Sequence, residues 1–523
     1  MKRFIVAGIM LTFAGYAAAQ SASANPRAQV RAAVHFDTSP PLRDITPELP
    51  LFRAPHEAPR PLPFHPAGLP SDAPDPVAQT SANVLVAATA GLGFAGVGQG
   101  DYGFSPDAAP PDTNGAVGAT QYVQWVNESF AVFDKSGNKV LGPVAGNTLW
   151  SGFGGGCQNN NDGDPIVQYD KLNNRWVMSQ FSVSTTPYLQ CFAVSATSDA
   201  TGSWHRYAFT EPNFNDYPKI GVWSDGYYAT YNMFTGTFQG ARACAYDGAA
   251  MRNGTAAKEV CFQLSSAYGG LLPADIDTPA ALPTAGSPEY FLNFGSSSLH
   301  VWKLHADFGT PANSTFTGPA TISVAAFSTA CGGGACVPQP GTSQKLDSLG
   351  DRLMYRLAYS KVGTLESLVV NHSVKVSGNK KTEVDGVRWY ELRLNTSTGA
   401  TPTLVQQGTY SPDSASRWMG SVARDKTGNI ALGYSVSSAS LYPSIRFTGR
   451  ASTDPLGTLQ AETGLHSGTG SQQRSLNRWG DYSSISVDPI DGCTLWYTTE
   501  YLKNSGTFNW STWIGSFKMA GCQ

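Results

Sequence analysis

The chain has 523 residues, only 14% of them charged, and a formal net charge of -3. That length serves several ordinary domains or one large repeat-built domain. The near-neutral charge excludes the basic excess expected of a nucleic-acid-binding surface, and 55 Gly, 22 Tyr and 12 Trp suit a β-rich protein with long turns.

The first stretch, MKRFIVAGIMLTFAGYAAAQ, places Lys2 and Arg3 before a short apolar run and small residues. It reads as a signal peptide over residues 1–19, with Gln20 as the first mature residue and a secreted destination, extracellular or periplasmic. The run is too short to span a bilayer and no later stretch is apolar for long enough, so no membrane insertion is expected. The eight cysteines fall close together in pairs, which predicts Cys157 with Cys191, Cys244 with Cys261, Cys331 with Cys336 and Cys493 with Cys522. No CxxC or Cys/His spacing suggests zinc. Residues 20–99 are rich in Pro and Ala, as in APHEAPRPLPFHPAGLPSDAPDP, and are expected to form a disordered or extended leader or linker that a protease could remove.

From residue 100 to 523 short β-rich units recur. Each opens on a polar cluster, runs into a strand, turns on Asp, Gly or Asn, and continues into a second strand that ends in polar residues. The openings are PPDTNG (110–115), GDP (163–165), NDY (215–217), GDR (350–352), SRWMG (416–420) and RWGDY (478–482), with a weaker unit at SPEYFLNF (287–294). The spacing, roughly 40 to 60 residues, is that of propeller blades, and neither a helical nor a βα pattern appears. The expectation is an all-β fold, a β-propeller of about seven four-stranded blades around a central channel, monomeric and preceded by the disordered leader. These units resemble the broad class of secreted bacterial β-propellers and, more loosely, sialidase-like propellers. DKTGNIALGY (425–434) and DPIDGCTLWY (488–497) echo the Asp-box of the latter without matching S-x-D-x-G-x-T-W.

In a propeller the first strand of a blade starts on the face where the second ends, so polar residues from different blades converge at one mouth. One ring there would hold Asp112, Asp164, Asp216, Asp351, Arg352, Arg417, Arg478 and Asp481; a second would hold Glu128, Gln180, Asn232, His372 and Glu500. Paired carboxylates about 5 to 10 Å apart do acid and base work on glycosidic bonds, and Asp481 or Asp216 with Glu500 is the candidate pair. His372 with Tyr482 or Tyr231 would instead suit a lyase. Arg352, Arg417 and Arg478 would hold anionic groups, Glu128 would contact substrate, and Trp418 and Trp479 would offer faces to a sugar. Asp162 and Asp164, in NNNDGDP, supply the oxygens a calcium ion would take; no cofactor is required. The expectation is a carbohydrate-active enzyme, glycoside hydrolase or polysaccharide lyase, acting on an acidic polysaccharide. The alternative is a non-catalytic propeller that binds a glycan or protein, stabilised by calcium. The same residues serve equally as blade-to-blade ties, and the sequence leaves open whether there is catalysis at all.

Overall fold

Runs such as QYVQWV (Gln121–Val126) and SFAVFD (Ser129–Asp134), joined by only Asn127 and Glu128, can satisfy their backbone groups only by pairing as a hairpin. The computed structural model describes residues 26–47, 56–57, 74–82, 84, 87–277, 282–379 and 381–523, and shows this motif repeated in an all-β fold. The signal peptide expected over residues 1–19 lies outside the described residues. No helix among them is long and apolar enough to cross a membrane.

Antiparallel units follow one another along the chain, named A to G here by their first strands: Asn114–Val117, Ile166–Asp170, Phe214–Val222, Leu272–Ile276, Met354–Val362, Ser416–Arg424 and Ser484–Val487. Each first strand pairs with its second, and three further ladders complete a unit such as C in the order Phe214–Val222, Tyr227–Phe234, Phe238–Tyr246, Lys258–Gln263 and Gln29–Ala32. Tight turns close the hairpins by Asx geometry. Asp170 accepts the N–H groups of Leu172 and Asn173, Asp425 those of Thr427 and Asn429, and Asp491 those of Cys493 and Thr494.

First strands of successive units touch, and that of G touches that of A. Side chains tie them across the gaps. Asn114 accepts Val167 N–H at 2.7 Å, Asp275 accepts Val222 N–H at 2.9 Å, Ser421 accepts Ile485 N–H at 3.2 Å, and Ser484 donates to the Gly115 carbonyl at 2.8 Å. Units D and E join outright through a parallel pair, Ala274 opposite Leu357. From unit E, Arg356 reaches Asp275 and Asp277 beside unit D and donates to the Ile485 carbonyl of unit G at 2.6 Å, while Tyr355 donates to the Ile220 carbonyl of unit C at 3.1 Å. Lys171, beside unit B, also binds Asp277. The four disulfides pair as the spacing predicted, and no cysteine is free.

The described part of the leader is not disordered. Gln29–Ala32 and His35–Thr38 add fifth strands to units C and B, Ala78–Gln79 pairs with unit E, and Ala88–Ala95 is the fourth strand of unit G, on Ser511–Met519. A sheet edge is a row of unpaired backbone groups, and an extended segment of any composition can cover it. Small residues are needed in the last of these strands, because a Cβ at Gly91 would lie 2.4 Å from the Ser516 hydroxyl and one at Gly93 3.0 Å from the Trp513 ring. Asp75 anchors the leader further. Both its oxygens accept from Arg388 at 2.7 Å, with both side chains fully buried. Removing one partner of a buried pair leaves the other charge uncompensated, so Asp75→Ala is expected to lower the unfolding free energy by about 3–5 kcal/mol. Urea denaturation of the intact chain measures this, and an unchanged midpoint would mean the leader is a dispensable tail.

Candidate functional site

Just ahead of where a first-strand ladder starts or resumes, the backbone turns through the left-handed region at Asp112 (φ 46°), Asp164 (φ 46°), Tyr217 (φ 56°), Gly270 (φ 59°), Met419 (φ 53°) and Asp481 (φ 56°). Among non-glycine residues Asn and Asp tolerate this conformation, through local hydrogen bonds, whereas Tyr and Met are strained in it. The turn is the structural meaning of the repeated GDP, NDY and GDY openings.

It brings a buried charged cluster together. Asp112, Asp164, Asp216 and Asp481 feel one another's charge, and Asp112 and Asp164 are within hydrogen-bonding reach of each other. Asn127, in the hairpin turn of unit A, donates to Asp112 at 3.1 Å, and Asp164 accepts the Tyr217 N–H at 3.0 Å. Arg478 donates to Asp481 at 2.5 Å, while Arg352 grips Asp351 through two bonds of 2.8 and 3.0 Å. The Lys219 ammonium, which donates to the Pro218 carbonyl, lies 3.3 Å from the centre of the Tyr217 ring and 3.7 Å from that of Tyr482. Arg352 sits over the Tyr217 ring at 4.5 Å. One oxygen each of Asp112 and Asp481, and the Tyr482 hydroxyl, have no hydrogen-bond partner among the described residues.

Burial dominates the proton affinities here. It raises Asp216 to about 8, helped by the Asp164 charge and opposed by Arg352. It raises Asp481 only to about 6, because Arg478 pulls the other way. Asp112 is raised well above the carboxylate range by burial and then by Asp481 and Asp164. Glu500 is raised likewise by burial, against the Gly480 N–H that it accepts at 2.7 Å. Burial pushes Lys219 well below the usual amine range.

Other residues singled out from the sequence lie elsewhere. His372 is fully buried, 4.9 Å from Phe294 and 4.6 Å from Phe327 between ring centres, with its Nε2 3.0 Å from the Tyr390 hydroxyl. Burial and the nearby Arg388 hold its pKa well below the usual range. Arg417 is clamped by Asp413 and Glu462. Trp418 and Trp479 are fully buried and pack on each other at 5.8 Å, with Trp479 donating to Ser435. Glu128 lies 3.4 Å from His56 of the leader, whose short strand pairs with Ala108–Ala109. The Asp162 carboxylate accepts from Val183 N, Ser184 N and the Ser184 hydroxyl, which tie it to the end of the second strand of unit B. Among the described residues, two groups hold three or more potential metal ligands, Cys331, Cys336, Glu383 and Asp385, and Cys244, Glu259 and Cys261. Every cysteine in them is in a disulfide, which removes the thiolate that a metal binds. Sequence reasoning did not single out Lys219 or Tyr217, although the parallel between NDYPK and WGDYS was a signal for the tyrosine.

These features define an all-β protein with a propeller-like succession of sheets and a buried carboxylate cluster. No family profile matches the chain, and no curated protein matches it. Among solved structures it is similar to an endo-arabinase from Bacteroides thetaiotaomicron, with 12% identity, 69% of this chain and 94% of that chain covered and a TM-score of 0.29. It is similar also to the WD40 domain of SCAP from fission yeast, with 9% identity, 77% and 82% covered and a TM-score of 0.31. A third is an ulvan lyase, with 12% identity, 80% of each chain covered and a TM-score of 0.29.

Asp216 gives the cluster a pH signature. Unfolded, an Asp releases its proton near pH 4; folded, this one keeps it to about 8. Between those values the native state holds a proton the unfolded chain has lost, so stability falls as pH rises through the window. Asp216→Asn removes the effect. Its melting temperature is expected to exceed that of the wild type by several degrees at about pH 8 and to converge with it near pH 4, as followed by circular dichroism across that range.

Proposed function

We propose that units A to G are the blades of one closed seven-bladed propeller, secreted after loss of its signal peptide, and that its carboxylate cluster degrades a polysaccharide. The succession of first-strand contacts back to unit A supports the closed ring. Four disulfides with no free cysteine support export to an oxidising compartment. The observation that carries the chemistry is the separation of two neighbouring acids, Asp216 raised to about 8 and Asp481 only to about 6. Environments that push two carboxylates apart assign an acid and a base. Asp216 would protonate the glycosidic oxygen as the bond to the anomeric carbon breaks, and Asp481 would take a proton from the water that attacks that carbon. Arg352, Arg478 and Lys219 would face acidic groups of the substrate, and Glu500 would hold the Gly480 backbone that positions Asp481.

A lyase reading has its own support in Lys219. Burial pushes this amine well below its usual range, toward the neutral form that would remove the proton next to a uronate carboxylate, and the Tyr482 hydroxyl would protonate the leaving oxygen. Incubation with neutral and acidic polysaccharides separates the two, since hydrolysis releases reducing ends alone and elimination adds the ultraviolet absorbance of unsaturated products. Binding of a glycan without any product would make the chain a non-catalytic binding propeller.

For the hydrolase, kcat/KM is expected to follow a bell with limbs near pH 6 and 8, set by Asp481 and Asp216. Asp481→Asn and Asp216→Asn should each lower kcat by about 10²–10⁴-fold in folded protein. Full activity in either variant rejects the assignment.

A further inference from the structure

A cleft of about 560 Å³ between units B and C runs along Tyr188, Asn213, Phe214, Phe234 and Thr235 to Asp216. Tyr188 stands just ahead of the third strand of unit B, Phe214 opens the first strand of unit C and Phe234 ends its second. The cleft is therefore on the face where first strands begin, and it leads from solvent to a member of the carboxylate cluster. Its volume is in the range, about 300–1,000 Å³, of small-ligand sites.

Its walls have a definite chemistry. Phe214 is 6.1 Å from Tyr188 and 6.1 Å from Phe234 between ring centres, at interplanar angles of 72° and 44°, so the three rings adjoin as an angled aromatic wall. Tyr188 and Phe214 are half-buried and still present area to solvent, with Asn213 and Thr235 beside them. Asp216, raised to about 8, offers a neutral hydroxyl donor rather than an anion at the inner end. Among the described residues, no lysine or arginine lines the cleft. A purely apolar occupant would leave the amide, hydroxyl and carboxyl groups unpaired, and an anionic one would find no cation among the side chains that line the cleft, Arg352 and Lys219 acting only from behind Asp216. A sugar ring without a charged substituent satisfies both surfaces, with its C–H face on the aromatics and its hydroxyls on the polar edge.

We propose that this cleft is a subsite for one uncharged sugar unit of the glycan, set with a hydroxyl or its linking oxygen toward Asp216. The proposal rests on the reading of the cluster as a glycan-processing centre, and confines acidic substituents to the neighbouring unit beside Arg352 and Arg478.

The test uses the intact chain, titrated calorimetrically with arabino-, xylo- and galacturono-oligosaccharides, and assayed on the parent polysaccharides. Tyr188→Ala and Phe214→Leu are compared with wild type and with Tyr442→Ala, an exposed position on unit F. Phe214→Leu keeps apolar bulk while losing the ring, so it guards against a folding defect in the first variant. Both cleft variants are expected to weaken binding of a neutral oligosaccharide by about tenfold and to raise KM by a similar factor with kcat kept, while Tyr442→Ala changes neither. Degradation by wild type with KM unchanged in both cleft variants overturns the subsite and spares the enzymatic reading. Binding that the cleft variants weaken, with no polysaccharide degraded, upholds the subsite and overturns the enzymatic reading. Neither binding nor degradation by wild type overturns both.

Discussion

The centre of this fold depends on a charged side chain taken out of water. Arg356 is almost fully buried, and among the described residues Asp275, Asp277 and the Ile485 carbonyl compensate it. A guanidinium in that position is costly unless its partners meet it with good geometry. Those partners sit on or beside the first strands of units D and G, and Lys171 brings unit B to the same Asp277. The network thus demands that strands distant in sequence meet at one place, a requirement that non-directional apolar packing does not impose.

The carboxylate cluster uses the same low-dielectric interior differently. At Asp275 and Asp277 the cations are matched to the anions, whereas Asp112, Asp164, Asp216 and Asp481 crowd their carboxyl groups together, with an oxygen of two of them unpartnered among the described residues. The first arrangement holds sheets together. The second stores proton affinity, at a cost in stability that rises with pH, and it sits where strained Tyr217 and Met419 backbones also stand. Costs of both kinds are thus gathered at one face.

Much of this was legible in the residues. The GDP, NDY and GDY openings placed Asp164, Asp216 and Asp481 at the heads of first strands, and the structure brings all three to one cluster, although Tyr217 rather than Asp216 takes the left-handed turn that Asp164 and Asp481 take. Cysteine spacing was enough for the disulfides because each pair is separated by at most 34 residues. Other residues were opaque for identifiable reasons. Arg417 and Arg478 stand in matching R-W pairs, yet Arg478 binds Asp481 in the cluster while Arg417 binds Asp413 and Glu462, and Glu462 lies far along the chain. Ala88–Ala95 resembles a linker in its glycine and alanine content because Gly91 and Gly93 pack against Ser516 and Trp513, which leave no room for a side chain at those two positions. Asp75 looked like part of a disordered stretch because its partner, Arg388, is more than three hundred residues away.

What the sequence determined by itself was local: strand alternation, the Asx turns headed by Asp170, Asp425 and Asp491, the repeated polar openings and the cysteine pairs. Each depends on groups a few residues apart, whose geometry is set by covalent connection. The tertiary structure alone decided which side chains are buried, and so which acids keep their protons. It also decided that the leader serves as sheet edge and ion-pair partner, and that an aromatic cleft ends on Asp216. Burial and charge pairing are properties of neighbours in space, and in a fold whose sheets are assembled from both ends of the chain those neighbours are seldom neighbours in sequence.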